Sequence, residues 1–432
     1  MFIVALPAIF VVVTLTFGVF YVLVDYIRIL RLRQRMAPGP FPLPLFGNIF
    51  HIPSSRQWKK FEEWSLKYQS PIITIWDGHT PVVICNDAWS MSDLCDKRAN
   101  IFSSRPVKTL TGKIFGLNKF NQAGLAYGEQ WRVHRRLTHS AANAQVVQAY
   151  HNFAKRLLKE KEEHGLSKVE ISNLTGNFIG AGVDTTTSTM LTFVLAMCLN
   201  QDVQSKAHEE IDRIVGRDRY PDWSDEDSLT YLAAVINETL RWRPAFALGG
   251  PPHAPTEDEI YNGFFFPRGT SIIGNLYAMH RNPREFPQPH RFWPERFMES
   301  FDGPAYPNKR GHNTFGWGRR VCSGEALAQQ SLYFTIVSLL WAFEIRPGVD
   351  EKGNEVVLDP DAYTVSQVNR PLPFKVRFLA RSETIATLVR TGAQEARTQL
   401  RAYDAITNVT FESAQSVSLD MPIAQAEKGS IV

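Results

Sequence analysis

The chain has 432 residues and carries 47 Lys and Arg against 43 Asp and Glu, a net charge of +4 that is spread out and leaves no basic run for nucleic acid. With 44% apolar and 21% charged residues its composition is globular rather than disordered. The four cysteines, Cys85, Cys95, Cys198 and Cys322, lie in unrelated contexts without zinc-type spacing, which argues against a disulfide framework and for a reducing compartment.

The first element is apolar. Phe2 to Val24 ("FIVALPAIFVVVTLTFGVFYVLV") is 23 residues without a charge, long enough to cross a bilayer as a helix. A cleaved signal peptide would want a basic start, a shorter core and a small-residue cleavage site, and none is evident. Arg28, Arg31, Arg33 and Arg35 follow the span, so the positive-inside bias puts the rest of the chain in the cytosol. No later stretch is read as a second span. We divide the chain into an anchor (1–27), a basic flank and proline-rich hinge (28–50), one main domain (51–400) and a polar tail (401–432).

The hinge contains "PGPFPLPLFGN", Pro38 to Asn48, whose four prolines remove backbone donors and predict a stiff, non-helical spacer. Next, "PIITIWDGHTPVVICN" reads as two strands around a turn at Asp77-Gly78. Small β elements are expected near Pro71–Asn86, Tyr261–Ile273 and Tyr363–Phe378, and helical patterns dominate elsewhere. Ser167 and Glu170 form a capping box that opens a helix running to about Leu199. Gly176, Gly180 and Gly182 inside that helix each cost about 1 kcal/mol relative to alanine, which asks for a reason. There sits "AGVDTTTS", Ala181 to Ser188, with Asp184 and Thr185 in the helix interior. A small-residue groove beside an acid and a hydroxyl can hold a small molecule and deliver protons to it. The same residues also suit a tightly packed helix with Thr185 bonded back to a carbonyl.

A second helix reads "YLAAVINETLRWRP", Tyr231 to Pro244, with Glu238 and Arg241 on one face. Alone, that pair is a common surface feature. The stretch "FGWGRRVCSG", Phe315 to Gly324, is far more specific, and an apolar helix, "EALAQQSLYFTIVSLLWAFE", follows it. Glycines let backbone approach a flat ligand. A cysteine at a helix start is favoured as thiolate, the metal-binding form. A buried, inert cysteine would leave the glycines and arginines unexplained.

These residues form a pattern. Phe315-x-x-Gly318-x-Arg320-x-Cys322-x-Gly324 resembles the haem-binding loop of cytochromes P450. Ala181-Gly182-Val183-Asp184-Thr185-Thr186 looks like their oxygen-activation motif, and Glu238-x-x-Arg241 their E-x-x-R helix. "FWPERF" (Phe292 to Phe297) is similar to the segment whose arginine, Arg296, meets that pair. "EQWRVHRR" supplies Trp131 and Arg135, similar to the W-x-x-x-R near the haem propionates. The motifs keep the family's order across nearly the whole chain, in the style of fungal microsomal members. Ser323 departs mildly, where an apolar residue or proline is usual.

The resemblance implies a mainly α fold with small β-sheets and a b-type haem (iron protoporphyrin IX) ligated by the Cys322 thiolate, whose electron donation favours O–O cleavage. It also implies that Phe315 and the loop amides shield the sulfur, that Gly318 and Gly324 belong to the haem-binding loop, and that Trp131, Arg135, Arg320 and His253 reach the propionates. Ala181 and Gly182 would face the haem, and Asp184 and Thr185 would relay protons to bound O2. Glu238, Arg241 and Arg296 would lock the core. The implied partners are NADPH–cytochrome P450 reductase, docking near Lys309, Arg310, Arg319 and Arg320, an apolar small-molecule substrate and membrane lipid, with no nucleic acid. The implied place is the endoplasmic reticulum membrane, spanned once, so the sequons at Asn173, Asn237 and Asn408 should stay unglycosylated.

One departure is large. Only 48 residues separate Arg135 from Asp184, an interval far longer in the family, where it carries the helices that roof the substrate pocket. The apparent junction lies near 147–153. The expected consequence is an incomplete fold with an exposed distal face, open to water and prone to leak protons to reduced oxygen. Three functions therefore stand side by side: a haem-thiolate monooxygenase, a catalytically impaired remnant, and a reductase-independent isomerase or dehydratase, against which the Asp184-Thr185 pair argues.

Overall fold

The computed structural model describes residues 2–107, 109–114, 116–141, 153–298 and 306–401. Its architecture is mainly helical with three small sheets. Helix α1 (Phe2–Arg33) opens the chain, and α2 (Gln57–Lys67) precedes strands β1 (Ile72–Asp77) and β2 (Thr80–Cys85). Helices α3 (Glu129–Ala141), α4 (Lys168–Leu199), α5 (Gln201–Ile214) and α6 (Thr230–Trp242) follow. Strands β3 (Glu259–Tyr261), β4 (Phe264–Phe266) and β5 (Ser271–Gly274) come next, then α7 (Glu325–Ala342), β6 (Phe343–Pro347), β7 (Val376–Ala380) and α8 (Glu383–Leu400).

Helix α1 continues through the basic flank to Arg33, because nothing between Val24 and Arg33 breaks a helix. Its apolar side chains from Phe10 to Tyr21, and Leu23, are exposed. The proline-rich spacer is non-helical and lies along β1, with the Thr74 amide donating to the Pro38 carbonyl (3.0 Å) and Tyr26 Oη donating to the Pro42 carbonyl (2.9 Å). The hairpin forms as expected: Ile75 faces Val82 and Asp77 faces Thr80 in antiparallel register. β5 adds in parallel to β2 through Val83↔Ile272, so a strand from the second half of the chain completes the first sheet.

The capping box at Ser167 is present on both sides: the Glu170 amide donates to Ser167 Oγ, and the Ser167 amide to Glu170 Oε2 (2.9 Å). α4 then divides in two. From Thr192 to Cys198 every residue is buried, and there the helix joins α5, α6, α7, β6 and α8 around the main core. By length and composition α1 and α4 both qualify as membrane spans, contrary to the reading that no second stretch does. The apolar window of α4 is half buried inside the protein, as a core helix requires. The apolar helix after the cysteine ends at Ala342, and Phe343–Pro347 becomes a strand paired with β7. The expected β element at Tyr363–Phe378 is a Tyr363↔Pro371 bridge followed by β7. The junction near 147–153 lies outside the described residues save for Phe153, as do Asn408 and the tail beyond Arg401.

Candidate active site

The loop from Phe315 to Gly324 is built on backbone that only glycine provides. Gly318 has φ +52°, and a Cβ there would sit 1.9 Å from the Cys95 carbonyl oxygen. The loop is closed by the Cys322 amide donating to the Phe315 carbonyl at 2.8 Å, and α7 begins directly after Gly324. Phe315 packs against the main core. Cys322 is a free thiol open to solvent, unlike the other three free cysteines, which are buried. Crowding by the loop raises its pKa, opposed by the Gly324 amide and, more weakly, by Arg135 and Arg310. The helix start therefore does not by itself hold the sulfur as thiolate. A metal ion would supply the remaining charge.

Beside this sulfur stands Arg135, and Arg320 and Arg105 extend a guanidinium cluster from it. Arg320 donates to the carbonyls of Ser103 (2.7 Å) and Leu125 (2.8 Å), and lies 4.3 Å over the Trp131 ring. Burial, with Arg105 and Arg135 close by, pushes its pKa down to about 8. Arg135, on α3, donates Nη1 to the Val321 carbonyl at 2.5 Å, and burial lowers its pKa. Arg105 donates to the carbonyls of Pro251 and Pro252 at 2.8 Å and is brought down to about 10 by burial. Among the described residues none of the three has a carboxylate within ion-pair distance. Sequence reasoning missed Arg105, which sits outside every motif; only the fold brings it to Arg320.

His253 is buried, and its Nδ1 donates to the Phe102 carbonyl at 3.0 Å. Burial, then Arg105, hold its pKa down to about 3, so the ring is neutral at ordinary pH. Trp317 is wedged beside it, with its ring centroid 6.4 Å away, and fills the space a side chain would need at Gly249 or Gly274.

On α4, Thr185 Oγ1 donates to the Ala181 carbonyl at 2.7 Å, and Ala181, Gly182 and Asp184 are exposed. Asp184 makes no hydrogen bond or ion pair among the described residues. Nothing described lies within 4 Å of a Cβ built at Gly176, Gly180 or Gly182, and Ile179 and Val183 are about 60% exposed, at 61% and 59%. Among the described residues, nothing packs on the glycine face of α4. No hydrogen bond among the described residues joins Asp184 or Thr185 to the Cys322 wall.

Behind the loop, Glu238 accepts from Arg241 at 2.7 and 2.8 Å and pairs with Arg296 at 3.2 Å, and the Trp293 amide donates to it at 2.8 Å. Glu238 and Arg241 are fully buried, so the pair is no surface feature.

An accessible sulfur, beside an arginine cluster of Arg135, Arg320 and Arg105 that has no acid of its own among the described residues, fits a flat metal-bearing ligand that brings its own carboxylates, as haem does. The comparisons agree. A family model, Cytochrome P450, matches residues 37–156 and 142–366. The chain is similar to Cytochrome P450 monooxygenase 58 of Postia placenta, 29% identical across 82% of this chain and 91% of that one. It is 28% identical to Cytochrome P450 monooxygenase drtD of Aspergillus calidoustus across 82% and 87%. Over a shorter stretch it is 40% identical to Cytochrome P450 monooxygenase 79 of Postia placenta, covering 51% and 40%. The chain belongs to the cytochrome P450 family and is a haem-thiolate monooxygenase of the fungal type.

Proposed function

We propose that the chain binds a b-type haem through Cys322 and inserts one oxygen atom from O2 into an apolar small molecule, with electrons from NADPH–cytochrome P450 reductase. The observation that carries this is an open thiol beside Arg135, from which a cluster of three arginines without acids among the described residues extends. Bound there, haem supplies the redox chemistry and O2 activation. The chain's own residues do the rest. Cys322 is the metal ligand, and Phe315, Gly318 and Gly324 hold the loop that aims it. Arg320 and Arg135 take the propionates, with Trp131 bracing Arg320 from below. His253 points Nδ1 at a carbonyl, so as a neutral ring it meets a propionate only if that bond is exchanged. Ala181 and Gly182 give a flat approach over α4, and Asp184 and Thr185 hold the protons that the reaction consumes. Thr185 releases its carbonyl bond to do so, and Asp184 is free to exchange with water.

The exposed apolar helix from Phe10 to Leu23 and the arginines after it support a single-pass anchor in the endoplasmic reticulum membrane, with the catalytic domain cytosolic. The anchor is 1–27, the hinge 28–50, the haem domain 51–400 and the tail 401–432. Lys309, Arg310 and Arg319 suit an acidic reductase face, and the shallow cleft of about 450 Å³ along Arg132, Arg135 and Arg136 adds to that charge.

A second reading, an impaired remnant, is favoured by the glycine face of α4, on which nothing packs among the described residues. An internal deletion near 147–153 accounts for it. Two observations support the deletion: the family model resumes within its own first match, and the alignment with the Postia relative spans 480 residues, more than 82% of a 432-residue chain can fill.

The deciding experiment is the spectrum of the reduced carbon monoxide complex of the purified full-length chain. A strongly red-shifted Soret band is the expected result, abolished by Cys322→Ala. A band typical of neutral ligation, or no bound haem, defeats the reading. Tightly coupled turnover with a reductase would defeat the remnant; peroxide release in place of product would favour it.

A further inference from the structure

A second cleft lies where α2, the end of α6 and the 361–369 loop meet. It encloses about 60 Å³, several times what one water needs. Its wall carries four basic side chains, Arg56, Lys59, Arg243 and Arg281, and one acid, Asp361. Asp361 is already committed, since Arg243 pairs with it at 2.9 Å and Arg56 donates to its carbonyl at 3.3 Å.

Arg281 is the decisive member. It is only 7% exposed, and among the described residues no carboxylate comes within ion-pair distance. It donates to two backbone carbonyls, Tyr277 and Trp242, both at a long 3.3 Å. Its guanidinium lies 3.8 Å from the Tyr277 ring centroid, and Lys59 approaches the same ring at 5.8 Å. Burying a cation without an acid is costly. Placing two cations on one ring, with a third at Arg243, compounds the repulsion. The half-buried Glu62 is the other acid close enough to be influenced by Arg281, and it does not line the cleft.

The backbone agrees. Arg56 precedes α2 in the left-handed region (φ +51°), a strained conformation for arginine, and offers the helix no side-chain cap. Trp58 and Lys59, in the first turn of α2, line the cleft. An uncapped helix start carries free amides and a positive end.

We infer that this cleft is an anion site that takes a phosphate group, held by the Arg281, Arg56 and Lys59 side chains at the start of α2. The cleft shares no residue with the Cys322 wall, so the site stands whether or not haem binds. The phosphate is either dissolved or the headgroup of an acidic lipid; the chemistry is the same.

The test uses the full-length protein and inorganic phosphate, against chloride at matched ionic strength. Phosphate should raise the unfolding temperature with a saturable dependence that chloride lacks. The surface variant Arg56→Asn with Lys59→Ala should weaken the apparent phosphate affinity roughly tenfold or more, and Arg281→Met should remove the response. Vesicles of phosphatidylcholine with phosphatidic acid, compared with pure phosphatidylcholine, separate the sources. A loss of acidic-vesicle binding in the surface variant assigns the site to a headgroup. Discrimination by inorganic phosphate alone assigns it to a dissolved anion. Equal phosphate and chloride effects, or equal phosphate responses in the wild type and the surface variant, overturn the site.

Discussion

Arg135 and Val321 are 186 positions apart, yet Arg135 Nη1 donates to the Val321 carbonyl at 2.5 Å. The bond fastens α3 to the residue just before Cys322. It makes the arginine a support for the loop as well as a cation facing the site. Arg135→Leu should therefore loosen the loop and remove one positive charge together. A hydrogen bond to a charged group contributes about 1.5–3 kcal/mol, so haem retention should fall by roughly tenfold to a hundredfold. The ratio of Soret to protein absorbance after gel filtration checks it, and an unchanged ratio refutes the assignment.

Glu238 sits between two guanidinium groups with no access to water. Removing it leaves Arg241 and Arg296 as buried cations facing each other. Glu238→Ala should cost about 3–5 kcal/mol. A denaturant midpoint that fails to move would mean the network is not buried in solution.

Two buried histidines make stability depend on pH. Burial pushes His253 down to about 3, and does the same to His312. Both are about 6.5 in an unfolded chain. Between those values the unfolded chain binds more protons than the folded one, so stability is full above pH 6.5 and falls as pH drops toward 3. Each group contributes a slope of at most about 1.4 kcal/mol per pH unit. Urea titrations at successive pH values measure it. His312→Gln should flatten the slope by about one group's share, and an unaltered slope would contradict the burial.

Two glycines should respond oppositely to alanine. At Gly274 the new Cβ would lie 2.4 Å from the Trp317 ring, which backbone on both sides confines. Gly274→Ala should destabilise by about 1–3 kcal/mol through overpacking. At Gly182 nothing described lies within 4 Å, so Gly182→Ala should be tolerated or stabilise α4 by up to about 1 kcal/mol. A loss of haem binding or oxygen reactivity in Gly182→Ala, with stability kept, would mark that face as a ligand surface. Thermal unfolding and the carbon monoxide spectrum of each variant decide.

Much of this was legible beforehand, for local reasons. Ser167 and Glu170 marked the start of α4 because a capping box needs only residues three apart. Asp77-Gly78 marked the hairpin because the turn dictates its own residues. The helix after Cys322 was misjudged only at its end: Phe343 and Glu344 suit a helix by composition, and pairing with β7 makes them a strand.

What could not be read locally was the company each side chain keeps. By spacing alone Glu238 and Arg241 looked like any i, i+3 pair; the family resemblance placed them in the core with Arg296, and there burial encloses them. Arg105 and Arg281 carried no motif. The sequence by itself determined the ligand loop, the cap, the hairpin and the family, since these depend on residue types at short, fixed spacings. Only the tertiary structure decided which cations stand without acids among the described residues. Burial and charge pairing are set by contacts across hundreds of positions, and no spacing along the chain encodes them.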